Sequence, residues 1–380
     1  MIFADKLLSL YKHIMNLCVY NGIPWCRKAK SNGAISFRAN KFLYKDYKQK
    51  WGRLSRIVLK EYLEVFGGYF EQDADRLNIV PEDIFRTYIE PVLNPFLYRA
   101  YFEDKNFFVK ILGKKFFPHE FLRCIQGTYY DGDYNYIPTE RVADFLQRIG
   151  ENVKEIILKP SVDSCSGRGI YFFDLKNNLF VERHSGKSVV ELIAETGMQN
   201  FVVQEVVIQS KFMNYFNSTS VNTLRVVTYR SVKDEVVYVP SMILRIGHAG
   251  SLVDNAHAGG VFVGVDPKTG ALGKYVTNQY GEKKIVFNGI NFSEQNFTVP
   301  EFDRVLKFAK DVHEKIPYHR LLALDVVQLE NGDCKLVEYN IGGFSTWLFP
   351  FVGQSPFGIW TDEIIEYVET RKNVKRIWTV

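Results

Sequence analysis

Apolar and polar positions divide the chain into two textures. Over residues 3–20, Phe3, Leu7, Leu10, Ile14 and Cys18 recur at spacings of three and four, the period of an amphipathic helix. Residues 53–66 repeat the pattern until Gly67-Gly68 stops it, so the first hundred residues read as mainly helical. From about Tyr101 short β-branched runs take over: EIILKP at 155–160, GIYFFD at 169–174, FVVQEVVI at 201–208, TLRVVTY at 223–229, VVYVPSMILRIG at 236–247, LLALDVVQL at 321–329 and CKLVEY at 334–339. Helical stretches such as 188–196 and 301–315 are mixed with them, which predicts α/β or α+β layers. Asn331-Gly332-Asp333 predicts a tight turn between the last two strands. No internal repeat or low-complexity linker interrupts the series.

Composition narrows the class. The chain has 380 residues, 46% apolar and 24% charged, an ordinary globular balance with room for two or three domains. No apolar run approaches the roughly 20 residues that a membrane-spanning helix needs, and no hydrophobic leader precedes a small-residue cleavage site, so a cytoplasmic location is expected. Cys18, Cys26, Cys124, Cys165 and Cys334 are odd in number and scattered without C-x-x-C spacing, so they read as reduced thiols.

The net charge of +5 is unevenly spread, because residues 1–60 carry thirteen Lys and Arg against Asp5 and Asp46 alone. Such a basic arm suits an anionic membrane face, a nucleic acid or an acidic glycan, or is a solvated helical surface. Aromatic residues are spread throughout, without the local cluster that base stacking requires. Nucleic acid is therefore not an expected partner, while peripheral membrane contact through the basic region stays open.

Three apparent motifs dissolve on inspection. Ser185-Gly186-Lys187-Ser188 ends like a P-loop, but Val181 stands where the first glycine belongs. Ser188 with Glu191 ahead of an apolar run predicts a helix capping box instead. His119-Glu120 begins like a zincin motif, yet Arg123 occupies the second histidine's place. His248 and His257, either side of a glycine-bearing loop, read as hydrogen-bonded structural residues.

Three other features, taken in order, carry chemistry. Lys159 leaves the strand EIILKP directly into the Ser/Gly loop 161–169, offering a cation and free backbone N–H groups to phosphate oxygens; a loop of this kind is otherwise only a turn. Gln204-Glu205 sits in an apolar strand, where polar groups suit an adenine edge and Val206 and Val207 suit its ring; the alternative is a wet edge strand. Asp325 and Glu338 fall on adjacent antiparallel strands, with Asn340 on the same face as Glu338, an oxygen-donor set suited to Mg²⁺. Carboxylates in apolar strands are costly to bury unless paired or metal-bound.

Read together, Asp104-Lys105, Lys159 with its loop, Gln204-Glu205-Val206-Val207, Asp325 and Glu338-x-Asn340 resemble the ATP-grasp superfamily. VNTLR at 221–225, LRIG at 244–247 and VDNAHAGG at 253–260 resemble its sugar-transfer-associated group, found with polysaccharide biosynthesis. The resemblance covers roughly residues 100–355. It implies an α+β ATP-grasp fold in which subdomains 101–207 and 208–380 clasp ATP, behind a helical, basic region at 1–100. Lys105 and Lys159 would contact the α- and β-phosphates, with Ser164, Ser166 and Gly167 in the loop closing over them. Glu205 and Val207 would meet adenine, alongside Gln204 and Val206, and Asp325, Glu338 and Asn340 would hold one or two Mg²⁺ ions. Ala323 stands where many carboxylate–amine ligases of this fold carry an arginine, so Arg225 and Arg245, with Lys159, are assigned to neutralise the reacting phosphate.

The expected function is ATP- and Mg²⁺-dependent ligation of a carboxylate acceptor, suggested by the group to be a uronic-acid-containing sugar, to an amine donor. A sugar or small-molecule kinase using the same site, and a non-catalytic nucleotide-binding module in a glycan assembly, are the alternatives.

Overall fold

The computed structural model describes residues 22–162 and 169–371, with residues 7–8, 10–11 and 14–15. Those six N-terminal positions are helical. The rest of the 3–20 pattern, and Ser164, Ser166 and Gly167, lie outside the described residues.

Helices open the described chain: α1 (Gly22–Ser31), α2 (Lys41–Gly52) and α3 (Lys60–Phe66). The Asn40 side chain caps α2 by accepting from the Leu43 amide. The helix expected over 53–66 begins only at Lys60. Its first half is a turn after α2 in which the Leu54 amide bonds the Trp51 carbonyl and Leu54 and Val58 are buried, so the apolar spacing there serves a packed turn. Further on, Glu82–Ile84, Phe85–Ile89 and Glu90–Leu93 run on as successive α, π and α segments.

A first antiparallel sheet holds β1 (Glu120–Ile125), β2 (Thr128–Asp131), β3 (Tyr136–Ile137), β4 (Glu155–Pro160), β5 (Tyr171–Lys176), β6 (Leu179–Glu182) and β7 (Phe201–Glu205), in the order β3-β2-β1-β7-β4-β5-β6. Helices α4 (Val142–Gly150) and α5 (Val189–Thr196) cover one face, where Ile156, Leu158, Phe201 and Val203 join their core. Alternation sends Ile157, Lys159, Val202 and Gln204 to the other face. The Ser188–Glu191 capping box starts α5 as the sequence predicts. Strand β7 stops at Glu205, short of the expected Ile208: its pairing with β4 ends at Ile156–Glu205 and its pairing with β1 at Glu120–Gln204.

The second antiparallel sheet holds β8 (Thr223–Arg230), β9 (Val237–Ile246), β10 (Val261–Val265), β11 (Val276–Thr277), β12 (Lys283–Lys284), β15 (Leu321–Gln328) and β16 (Cys334–Asn340), in the order β12-β11-β10-β9-β8-β15-β16; β13 (Val286–Phe287) and β14 (Ile290–Asn291) form a separate hairpin. The turn at 331–333 joins β15 to β16, with Gly332 at φ +78 and the Leu329 amide bonded to the Asp333 carbonyl at 2.8 Å. Helices α6 (Lys211–Phe216) and α7 (Phe302–Glu314) pack on the outer face against Leu224, Val226, Leu322 and Leu324.

The inner face is divided. Val227, Tyr229, Ile243, Leu321 and Ala323 share one core with the N-terminal helices and α8 (Thr361–Arg371). Where that cover ends, the same alternation brings up Arg225, Arg245 and Asp325. Cys26, Cys124 and Cys334 are free and buried, and among the described residues no helix is long and apolar enough to cross a membrane.

Candidate active site

A cleft with a cavity volume of about 300 Å³ separates the two sheets. From the first sheet and its exit segment come Lys159, Gln204, Glu205, Val206 and Val207; from the second come Arg225, Arg245, Asp325, Glu338 and Asn340. Residues singled out on strands far apart in sequence are thus brought to one place. Lys105 reaches its edge, where Nζ lies 3.2 Å from Glu338 Oε1.

The two lysines are tied together at their roots. Asp104 caps the turn carrying Lys105, whose amide donates to the Ser161 carbonyl at 3.0 Å. Asn106, fully buried, donates to Ser161 Oγ at 2.8 Å and to the Cys124 carbonyl at 3.0 Å. The start of the phosphate-type loop after Lys159 is therefore fastened to the Lys105 turn. Burial, with Lys105 nearby as a second cause, pushes the Lys159 ammonium down to about 8.

On the facing sheet Asp325 and Glu338 are direct cross-strand partners. Immediately beyond them the register shifts, so Asp325 pairs with Glu338 but Val326 with Leu336, leaving Val337 as an extra residue. Its carbonyl accepts from Lys159 Nζ at 3.3 Å. Arg225 grips Asp325 at both oxygens, Nε to Oδ1 and Nη2 to Oδ2, each at 2.8 Å. Arg245 adds Nη1 to Oδ2 at 3.0 Å and pairs through Nη2 with Asp254 at 2.9 Å. Burial works against ionisation of Asp325, but Arg225 and Arg245 outweigh it and hold the carboxyl below its usual range. Asp254 moves the other way: burial raises it, only partly offset by Arg245.

Some assigned side chains are already engaged. The Glu205 carboxylate accepts from the His119 amide at 2.8 Å, and Gln204 Nε2 donates to Glu120 Oε1 at 2.7 Å. Other cleft residues escaped the sequence reading. His257, which read as structural, lines the cleft and bonds Gln279, and Trp347 lies close by, with ring centroids 6.0 Å apart. The N-terminal region also reaches the rim. Buried Asn94 bonds the Leu321 and Ile341 carbonyls, Glu90 accepts from the Gly343 amide and Glu103 from the Gly342 amide, gripping the loop that follows Asn340. Nothing in local sequence announces these long-range bonds.

The residues present fit a metal-bound triphosphate. Lys105, Lys159, Arg225 and Arg245 bring four cations to the cleft and its edge, facing the carboxylates of Glu205, Asp254, Asp325 and Glu338. Among the described residues no cluster of three or more His, Cys, Asp or Glu forms a self-sufficient metal cage. Glu338, with 34% of its side chain exposed, and Asn340 present oxygens to the cleft, and Asp325 keeps lone-pair capacity on Oδ1 beyond its single bond there. Two carboxylates and one amide oxygen suit Mg²⁺ whose remaining ligands come from phosphate and water.

No curated protein matches the chain. Among solved structures, the L-amino acid ligase from Bacillus licheniformis is similar over 64% of this chain, at 10% identity and a TM-score of 0.33; the chain spans only 42% of that protein's length. The VanG D-Ala:D-Ser ligase from Enterococcus faecalis is similar over 72% of this chain and 62% of its own, at 11% identity and a TM-score of 0.41. The ATP-grasp ligase PsnB, solved with minimal precursor, Mg and ADP, is similar over 73% and 62%, at 10% identity and a TM-score of 0.39. Residues 85–356 match the family described as sugar-transfer associated ATP-grasp. With most of its length matched and both sheets of the cleft inside the match, the chain belongs to the sugar-transfer associated ATP-grasp family and has the ATP-grasp fold.

Proposed function

We propose that this chain is an ATP-grasp ligase that uses ATP and Mg²⁺ in the cytoplasm to join a carboxylate to an amine, with a uronic-acid-containing sugar of polysaccharide biosynthesis as acceptor. The observation that carries the reading is the convergence of Lys105 and Lys159 from one wall on β16 of the other, beside Glu338.

In the proposed reaction Lys105 and Lys159 hold the phosphate chain, and Gln204 to Val207 receive adenine. Mg²⁺, held by Glu338, Asn340 and Asp325, supplies charge neutralisation at the phosphates. A carboxylate oxygen of the acceptor attacks the γ-phosphorus, the bond to ADP breaks, and an acyl phosphate forms. Arg225 and Arg245 stand on the β8–β9 floor of the cleft and stabilise charge on the transferred group. The amine then attacks the acyl carbon and expels phosphate, leaving an amide.

Purified protein with ATP, Mg²⁺ and a panel of uronic acids and amines, assayed for ADP, tests the proposal. ADP release that requires both partners is expected. Release with a sugar alone would make the protein a kinase, and ATP binding without turnover under any pairing would make it a nucleotide-binding module.

A further inference from the structure

Glu120 is a buried residue behind the cleft wall, beside cleft-lining Gln204, and the proposed reaction gives it no task. It stands on β1 directly opposite Gln204 on β7, and the two are 5% and 3% exposed. Gln204 Nε2 donates to Glu120 Oε1 at 2.7 Å, while fully buried Arg123 donates from Nη2 to Glu120 Oε2 at 2.6 Å. A carboxylate beside a guanidinium has only lone pairs to offer, so the contact dictates which end of the Gln204 amide faces it. The carbonyl end, Oε1, is turned away and has no hydrogen-bond partner among the described residues, although it is buried and Gln204 lines the cleft. A buried acceptor left unmet is costly, and a bound donor that reaches it recovers that cost. Apolar Ile170, Phe172, Val206 and Val207 line the same region, as a flat nucleobase requires.

We propose that Glu120, anchored by Arg123, is a positioning residue that locks Gln204 as an acceptor, so that the cleft selects purine nucleotides with a 6-amino group over those with a 6-oxo group. The inference rests on the reading that the cleft takes a nucleoside triphosphate. Adenine brings an N–H donor to Oε1. Hypoxanthine and guanine bring a carbonyl oxygen, which would meet Oε1 lone pair to lone pair. Gln204 escapes that clash only by flipping, and a flip would point Oε1 at the Glu120 carboxylate.

Dissociation constants for ATP and inosine triphosphate, measured with Mg²⁺ on the full chain, test this without any substitution. The wild type is expected to prefer ATP by roughly 10- to 100-fold. Glu120→Gln, whose amide pairs with Gln204 in either orientation, is expected to bring the two affinities within about threefold of each other. Glu120→Asp keeps a negative charge for Arg123 but draws it back from Gln204 Nε2, and is expected to erode the preference in the same way if Glu120→Gln does not fold. Loss of packing alone would weaken both nucleotides alike and leave their ratio unchanged. Equal binding of ATP and inosine triphosphate by the wild type would overturn the inference and leave the ATP reading standing, as would a full preference retained in the variants. Failure of both nucleotides to bind would remove the ATP reading itself.

Discussion

Lys159, on the strand of one sheet, donates from Nζ to the carbonyl of Val337, on the edge strand of the other, at 3.3 Å. The bulge beside Asp325 and Glu338 makes that carbonyl available, since Val337 is the residue left over when the register shifts. The carboxylate pair and the contact between the two walls therefore share one local irregularity. Bulges re-aim side chains at the cost of ladder pairing, and here the gain is a lysine of the facing wall held at the strand that carries Glu338.

That position governs how the protein responds to pH. Burial, reinforced by Lys105, lowers Lys159 from 10.5 to about 8, so the folded state disfavours its charged form. The stability cost is carried in full below about pH 8 and is relieved as pH rises toward 10.5, where the folded protein has lost a proton that the unfolded chain still holds. A triphosphate favours the ammonium, so ATP affinity should be greatest below about pH 8 and fall above it by up to about tenfold per unit, with proton uptake on binding. Calorimetric titration in buffers of different ionisation heat measures that uptake. An affinity that stays flat across this range would rule out Lys159 as a phosphate ligand.

Asp325 is the counter-ion for two guanidinium groups, Arg225 and Arg245, at a site 5% exposed. Asp325→Asn strands both, with only Asp254 left to relieve Arg245. A loss of about 3 to 5 kcal/mol in unfolding free energy is expected, the cost of breaking a buried pair from one side. Urea denaturation checks it, and a loss below about 1 kcal/mol would mean the guanidinium groups reach water after the change.

A second pH effect arises far from the cleft. His313 shares a hydrogen bond with Thr228 Oγ1 at 2.7 Å through Nδ1 and bonds the His319 carbonyl at 3.0 Å through Nε2. Burial pushes His313 down to about 3 and His319 to about 4, so both stay neutral in the fold while the unfolded chain protonates them near 6.5. Their contribution is complete above about pH 6.5 and is lost at about 1.4 kcal/mol per pH unit per histidine as pH falls toward the folded values. His313→Gln should reduce the slope of stability between about pH 6 and pH 4.5 by about that amount. An unchanged slope would show that His313 is protonated in the folded protein.

Local order was legible in the sequence where one residue type dictates one geometry. The Ser188–Glu191 capping box, the Gly332 turn and the strand delivering Lys159 all lie where patterning puts them. The turn sets the register only as far as Val326–Leu336; continued unbroken it would put Asp325 opposite Val337, and the bulge is what brings Asp325 opposite Glu338. Strand β1 was missed because EFLRCI carries Glu120 and Arg123 inside; they bury each other as an ion pair, which spoils the apolar signal. The helix expected from Arg53 onward fell short because Leu54 and Val58 are buried by a turn. The bulge at Val337, the arginine grip on Asp325 and the bonds from Asn94, Glu90 and Glu103 to the cleft rim join positions remote in sequence, where periodicity carries no information.

The two-walled cleft is tested most directly by titrating ATP, with and without Mg²⁺, into the wild type, Lys159→Ala and Glu338→Gln. Wild type should bind ATP, and bind it more tightly with Mg²⁺. Lys159→Ala should weaken binding under both conditions, whereas Glu338→Gln should keep its fold, lose the Mg²⁺ enhancement and, by loss of transition-state stabilisation, turn over at least roughly 100-fold more slowly. Binding that is indifferent to both substitutions, or absent in the wild type, would show that Lys159 of one sheet and the carboxylates of the other do not share a triphosphate.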